Sequence, residues 1–246
     1  MKKIFLQFLL VLFLISLNCF SYSSEKLTLI TGNDFAPYTD EKLKSGGMYT
    51  SFVKEIFKRL KVNYKIEFLP WARGYDMVKR NKADVTFPYA KTEERKKEVK
   101  YSNVSLVNGN IFIYANVKHK NKKNFADFKN TTLCNPIGYY KEDALIKLIE
   151  KKEITEISKF DAKSCLLAII KNEADFMTTN DAYMNSVSVK KINSMNKVVP
   201  IGERINQLKL YVIFKKEMDN KFINQFDEEA KKFMQTNDYK EILESF

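Results

Sequence analysis

Short stretches of alternating apolar and polar residues recur along the chain, and segments with helical spacing of their apolar residues lie between them. "KLTLITG", "NYKIEFLP" and "ADVTFPYA" are rich in β-branched and aromatic residues and predict three strands. "GGMYTSFVKEIFKRLKV" and "WARGYDMVKRNK" predict the intervening helices. The apolar face of the first helix consists of Tyr49, Phe52, Val53, Ile56, Phe57 and Leu60. This alternation predicts a parallel sheet with helices on its faces.

The same alternation returns in the second part of the chain. The predicted strands are "NGNIFIYANV", "NTTLCNP", "ITEIS", "ADFMTTND" and "QLKLYVIFKK", and the predicted helices are "KEDALIKLIEKK", "DAKSCLLAIIKN" and one at the C-terminus. We therefore predict an α/β fold with two lobes, each a mostly parallel sheet flanked by helices, joined by two crossing strands that form a hinge. A ligand would bind in the cleft between the lobes, and hinge closure would trap it.

The N-terminus carries the features of an export signal. Lys2 and Lys3 precede an apolar run over residues 4–17, and small residues follow up to Ser23. This order predicts a signal peptide cleaved after Ser23, and hence a periplasmic protein. A membrane anchor is one alternative, but the run is shorter than the roughly 20 residues of a spanning helix. A lipid-modified Cys19 is another, but Leu and Asn precede it, where such a signal needs small residues.

The chain is basic, with 42 Lys and Arg against 30 Asp and Glu and a formal net charge of +12. Its lysines are mixed with glutamates, as in "KTEERKKEVK", and form no basic block interleaved with stacking aromatics. We therefore expect no nucleic-acid partner and a surface whose positive potential steers anionic ligands. A single histidine, His119, with no close Cys/His spacing gives no support for a metal site. We expect neither a metal nor a cofactor.

Two cysteines, Cys134 and Cys165, remain after the predicted cleavage. An oxidising compartment favours a disulfide between them. Two buried thiols are the alternative, because the bond has strict geometry and the sequence does not give the separation of the two residues.

Several segments resemble the periplasmic solute-binding proteins of ABC transporters, in the family (family 3) that includes polar amino-acid binders. They are "FAPYTDEKLKSGGMYTSFVKEIFKRL", "NKADVTFPYAKTEERKKEVKYS", "NEADFMTTND" and "DYKEILESF". The resemblance covers nearly the whole mature chain and lies in the order and spacing of the segments. It implies a type II periplasmic-binding-protein-like fold with lobe 1 at 24–116 and 208–246 and lobe 2 inserted at 117–207. It also implies a small-molecule ligand, an ABC permease as partner, and a monomer.

The resemblance points first to Arg95. In amino-acid binders of this family, an arginine three residues after a threonine binds the ligand carboxylate. Thr92 and Arg95 keep this spacing, and Ser102 matches a serine further along. A planar guanidinium can hold a carboxylate through two parallel hydrogen bonds, and Thr92 can cap the short helix. The alternative is a surface arginine paired with Glu94 or Glu98.

Aromatic residues are expected around the ligand. Phe35 and Tyr38 lie where the family places an aromatic ring over the ligand. Trp71 and Arg73 begin a predicted helix and can face the cleft, although Trp71 is equally well explained as a core residue. Tyr89 ends the third strand and would border the ligand.

In the second lobe, Gly138, Tyr139 and Tyr140 form the turn before a helix, where family members bind the ligand carboxylate with backbone N–H groups. Asn180 ends "ADFMTTND", where amino-acid binders usually carry an aspartate for the α-ammonium group. Asp181 comes one residue late, and successive side chains of a strand point to opposite faces.

The chain departs from amino-acid binders at Phe87, Pro88 and Ala90, where small hydroxyl residues are usual. The resemblance therefore implies recognition of a carboxylate, through Arg95, but does not imply recognition of an α-ammonium group. We predict a non-enzymatic protein that captures a small polar, carboxylate-bearing, amino-acid-like solute between two lobes and delivers it to an ABC permease. The alternatives are a ligand-binding sensor and a dehydratase-like enzyme on the same scaffold. The enzyme would need a general acid or base in the cleft, and the sequence shows no distinctive carboxylate pair or histidine for it.

Overall fold

The structure is a computed structural model that describes residues 26–246, so the predicted signal peptide and Cys19 lie outside the described residues. The strands are β1 (Leu27–Thr31), β2 (Tyr64–Phe68), β3 (Val85–Ala90), β4 (Lys100–Asn116), β5 (Thr131–Pro136), β6 (Ile154–Lys159), β7 (Phe176–Asn180) and β8 (Val198–Phe214). The α-helices are α1 (Met48–Arg59), α2 (Trp71–Lys79), α3 (Glu93–Glu98), α4 (Asp143–Glu150), α5 (Ala162–Ile170), α6 (Asp181–Asn185), α7 (Val187–Ile192), α8 (Asn220–Phe233) and α9 (Asn237–Glu244).

The strands of residues 26–246 form one sheet in the order β2-β1-β3-β8-β4-β7-β5-β6. At one end, β1 pairs in parallel with β2 and β3, and at the other, β5 pairs in parallel with β6 and β7. Between them, β4 and β8 pair with each other in antiparallel fashion. This arrangement confirms the predicted α/β fold. We call the end containing β1 to β3 the first half and the end containing β5 to β7 the second half.

The two central strands belong to both halves. β4 and β8 are each 17 residues long, and both begin earlier than the sequence predicted. β8 pairs with β3 in the first half, and Ile111–Ala115 of β4 pair with β7 in the second. Register shifts between Ser105 and Asn108, and between Ile111 and Ile113, mark the passage from one half to the other. The predicted lobe bounds remain a prediction, and we propose that the division on β4 lies before Ile111.

The predicted apolar face of α1 forms much of the core in the first half. Tyr49, Phe52, Val53, Ile56 and Phe57 are all buried. They pack in one cluster with residues of α8, including Phe226 and Phe233. The C-terminal segment contains two helices where the sequence predicted one, because the Thr236 hydroxyl accepts the N–H of Tyr239 and starts α9. None of the helices among residues 26–246 has both the length and the apolar character needed to cross a bilayer.

A buried carboxylate ties α8 to the beginning of β4. Asp227 is only 4% exposed and accepts hydrogen bonds from the Ser102 hydroxyl at 2.5 Å and the Asn103 backbone N–H at 2.9 Å. The Asn103 side-chain amide donates a third bond at 3.0 Å. Buried polar groups are stable when they are paired in this way. Ser102 therefore has a structural partner in α8.

The predicted disulfide is confirmed. Cys134 of β5 and Cys165 of α5 are bonded, with their Cα atoms 5.4 Å apart, and both are fully buried. The bond fixes α5 against β5, the strand that leads into the turn at Gly138.

Reduction of this disulfide will destabilise the protein. A bridge between residues 31 apart restricts the unfolded chain, and its loss should lower the free energy of unfolding by about 4 kcal/mol. Urea unfolding with and without reductant measures the difference. A variant carrying both Cys134→Ala and Cys165→Ala should not respond to reductant. Alkylation of both cysteines in unreduced, denatured protein would contradict the prediction.

Candidate functional site

A cavity of about 90 Å³ lies between the two halves of the sheet. Its aromatic walls are Phe35, Tyr38, Tyr49, Trp71, Tyr89, Tyr139 and Tyr140. Its other apolar and backbone walls are Pro88, Ala90, Gly109, Ile111, Gly138, Leu208 and Leu210. Its polar side chains are those of Arg95, Glu142, Thr178, Thr179 and Asn180. Such a concave site, mostly apolar with a few convergent polar groups, suits a small ligand.

The structure brings together most of the residues predicted from the sequence. Phe35, Tyr38, Trp71, Tyr89, Arg95, Gly138, Tyr139, Tyr140 and Asn180 all line this cavity. Arg73 does not: it is exposed, because a residue two positions after Trp71 in a helix points to nearly the opposite side. Thr92 also lies outside the lining and caps α3 as predicted, its hydroxyl accepting the N–H of Arg95 at 3.1 Å. Contact of these residues with a ligand remains a prediction.

The aromatic residues form a connected wall. Tyr38 stacks on Tyr49 with ring centroids 4.6 Å apart, and Phe35 lies 4.9 Å from Tyr38. Trp71 contacts Phe35 edge-on at 6.0 Å, and it contacts Tyr139 of the second half in the same way at 6.3 Å. Trp71 is 8% exposed, so it is both a core residue and part of the cavity wall. The wall is therefore shared by the two halves.

The position of Trp71 is also determined by two neighbouring residues of the first half, Tyr89 and Gly32. The Tyr89 hydroxyl donates a hydrogen bond to the Trp71 carbonyl at 2.6 Å, which fixes the start of α2. A Cβ atom on Gly32 would lie 2.3 Å from the indole ring. A side chain at Gly32 would therefore displace the tryptophan from the end of β1.

Arg95 is positioned by its backbone and by its guanidinium. Its Nη1 donates to the Ala90 carbonyl at 3.3 Å, and its Nη2 donates to the Gly138 carbonyl of the second half at 3.2 Å. The guanidinium lies over the rings of Tyr75 and Tyr89 at 5.2 and 5.4 Å. The alternative pairing with Glu98 is absent, since Glu98 accepts hydrogen bonds from Tyr75 and Lys79. Arg95 has no ion pair with any carboxylate of the described residues.

The turn at Gly138 packs directly against the first half. Gly138 has a φ of +86°, and a Cβ atom there would lie 2.9 Å from the backbone nitrogen of Ala72. Only glycine therefore fits this backbone conformation and this close approach. The contact places the Gly138 carbonyl within reach of Arg95.

Asn180 lines the cavity from the end of β7, and its oxygen is already engaged. It accepts the N–H of Tyr183 at 2.7 Å and so caps α6. Asp181 is not part of the lining and accepts a hydrogen bond from Asn110 at 3.3 Å. Neither residue offers a free carboxylate to the cavity.

Sequence reasoning missed several lining residues. The pattern assigned Tyr49 to the buried face of α1, and Ile111, Leu208 and Leu210 to strands, with no indication that these positions border a cavity. Glu142 follows the Gly138 turn by four residues, and only its place before a helix could have marked it. The missed residues are Tyr49, Gly109, Ile111, Glu142, Thr178, Thr179, Leu208 and Leu210. Pro88 and Ala90, noted from the sequence as departures from amino-acid binders, also line the cavity.

Two carboxyl groups have raised pKa values: Glu142, which lines the cavity, and Asp34, which precedes the lining residue Phe35. Burial is the main cause for Glu142, with hydrogen bonds from Thr178 and Asn206 opposing the rise. Burial also raises the pKa of Asp34, together with a hydrogen bond and like-charge repulsion from Asp161 of the second half. Burial raises the pKa of the Tyr38 hydroxyl to about 12. No three His, Cys, Asp or Glu side chains among residues 26–246 form a group suited to a metal ion.

Replacing Asp34 by asparagine should stabilise the protein at neutral pH. A carboxyl whose pKa is raised on folding contributes its stability below the ordinary pKa of 3.8 and loses it as the pH rises through the raised value. Asp34→Asn removes the repulsion with Asp161, so its melting temperature should exceed that of the wild type at pH 7 and approach it near pH 4. Thermal melts across this range measure the effect. Asp76→Asn, at a half-exposed carboxylate on α2 that pairs with Arg80, is the control. A variant of Asp34 less stable than the wild type at pH 7 would contradict the prediction.

Similar folds occur in solved structures of binding proteins and of a sensor. An ancestral arginine-binding protein bound to arginine superimposes with a TM-score of 0.78 at 19% identity, over 89% of this chain and 97% of that one. A histidine kinase sensor domain with similarity to periplasmic binding proteins gives 0.78 at 13% identity, over 90% and 95%. The GluR0 ligand-binding core from Nostoc punctiforme, in complex with L-glutamate, gives 0.73 at 13%, over 89% and 98%.

At these identities the solved structures establish the fold. A search among curated proteins gave no significant match. The sequence profile of the bacterial extracellular solute-binding proteins, family 3, matches residues 27–246, which is nearly the whole of the described chain. The fold of the chain is similar to that of solved binding proteins, and a cavity lies between the two halves of its sheet. The chain therefore belongs to the bacterial extracellular solute-binding proteins, family 3.

Proposed function

We propose that the protein captures a small carboxylate-bearing solute in this cavity and that Arg95 binds the carboxylate. The observation that carries the proposal is the guanidinium of Arg95, which lines the cavity with only neutral carbonyl partners. The guanidinium now donates to two neutral carbonyls at 3.2–3.3 Å. Its hydrogen bonds to a carboxylate would be charge-assisted, and therefore shorter and stronger. The aromatic walls exclude water and strengthen that interaction.

Arg95 also links binding to the closure of the cleft. It belongs to α3 of the first half, and its Nη2 bonds to Gly138 of the second half. A ligand held by Arg95 would therefore contact both halves at once. A ligand that contacts both halves stabilises the closed arrangement over an open one by the difference in its affinity for the two.

We further propose that the protein is exported by its N-terminal signal, acts in the periplasm as a monomer, and delivers its solute to an ABC permease. Membership of the family of extracellular solute-binding proteins supports this role. The second candidate is a ligand-binding sensor, which is favoured by the similarity to a histidine kinase sensor domain. Solute uptake by cells that lack this protein, compared with complemented cells, separates the two roles.

Removal of the Arg95 guanidinium should weaken solute binding strongly. The probes are L-arginine, L-glutamine, L-glutamate and the corresponding acids that lack the α-amino group, titrated by calorimetry into ligand-stripped protein. We expect Arg95→Ala to weaken the probe that the wild type binds best by about 30-fold or more, since it removes one partner of a buried charge pair.

Arg80→Ala is the matched control, because Arg80 is exposed, pairs with Asp76 and lies outside the cavity. It should bind the probe as the wild type does. Equal affinity of Arg95→Ala and the wild type would reject the role of Arg95. The absence of binding to any acid of the panel would reject capture of a carboxylate-bearing solute.

A further inference from the structure

The cavity contains one carboxylate whose position the family resemblance did not explain. Glu142 lies at the N-cap position of α4, but its side chain makes no capping hydrogen bond. It lines the cavity instead and is only 6% exposed. A glutamate that neither caps its helix nor reaches solvent is rare in a folded protein, since such groups are almost always paired when buried.

The hydrogen bonds of Glu142 are incomplete. Its Oε2 atom is buried and has no hydrogen-bond partner, and the Oδ1 atom of the adjacent Asn206 is in the same state. Neither Lys, Arg nor His of the described residues forms an ion pair with Glu142. A buried oxygen acceptor requires a donor, and a buried carboxylate without a partner lowers stability.

The charge state of Glu142 follows from two opposed effects. Burial raises its pKa, and hydrogen bonds from Thr178 and Asn206 oppose this rise. The N-terminus of the eight-residue α4 also favours the ionised carboxylate. A cation placed in the cavity would add a Coulombic attraction, and the faces of Tyr139 and Tyr140 in the lining are suited to a cation.

We propose that Glu142 binds a protonated nitrogen of the ligand, so that the captured solute is a small zwitterion with its carboxylate at Arg95 and its amine or guanidinium at Glu142. The subsite lies at the N-terminus of α4, beside Thr178 of β7. Asn180 and Asp181, at and after the end of that strand, offer no free carboxylate. This inference rests on the proposed function and extends it by naming the second charged group of the solute.

The experiment compares probes that differ only in their nitrogen. Calorimetry measures L-arginine, L-glutamine and L-glutamate, each beside the acid in which hydrogen replaces the α-amino group, and 6-aminohexanoate beside hexanoate. The wild type should bind at least one amine-bearing probe about 30-fold more tightly than its partner lacking the amine. Glu142→Gln should reduce that preference to about threefold or less, because the amine-bearing probe loses the carboxylate that pairs with its charge.

Three further measurements separate recognition from a structural role. Glu150→Gln, on the exposed C-terminal end of the same helix, should keep the full preference. Glu142→Gln without ligand should melt at or above the wild-type temperature, because the unpaired charge is gone. Glu142→Asp, which keeps the charge on a shorter side chain, should retain part of the preference for the amine-bearing probe. This variant replaces Glu142→Gln in the binding measurements if the glutamine variant fails to fold.

The outcomes distinguish this inference from the proposed function. Acids that bind through Arg95 with no preference for the amine would overturn the role of Glu142 and leave carboxylate capture intact. A preference that survives in Glu142→Gln would do the same. If no probe binds the wild type, both are overturned.

Discussion

The antiparallel pairing of β4 with β8 is the constraint on which the rest of the structure depends. These two strands complete the sheet of each half, because β3 pairs with β8 and β7 pairs with β4. Gly109, Ile111, Leu208 and Leu210, which line the cavity, all belong to this pair of strands. Backbone hydrogen bonds therefore set the floor of the cavity. The register shifts in the same region are local bends of the kind that redirect a strand between two packing environments.

The elements with a clear period were predictable from the sequence. α1 has its apolar residues on one face, and tertiary packing buried that face as expected. The lengths of β4 and β8 were not predictable, because residues such as Lys100–Ser105 are held as a strand by the partner beside them. The short helices α6 and α7 were also missed. They have no apolar stripe, and α6 begins with a cap from Asn180, which had been assigned to a ligand.

The site was predictable where it consists of residues in a recognisable order. Thr92 and Arg95 could be found from their spacing, and the structure places the guanidinium in the cavity. Arg73 shows the limit of this approach, since a position near the start of α2 does not give the direction of a side chain. Glu142 shows the opposite limit. A glutamate before a helix is usually a solvated residue, and only the packing of β7 and β8 around it reveals a buried carboxylate.

If Arg95 binds the solute carboxylate as proposed, its hydrogen bond to the Gly138 carbonyl occupies part of the same guanidinium. The guanidinium then exchanges one set of acceptors for another, so an incoming solute gains only the difference between the two. A measured dissociation constant will therefore understate the intrinsic strength of the contact by the cost of that exchange. Substitutions around the Gly138 turn that shift this backbone carbonyl would therefore change affinity without changing any residue that touches the solute.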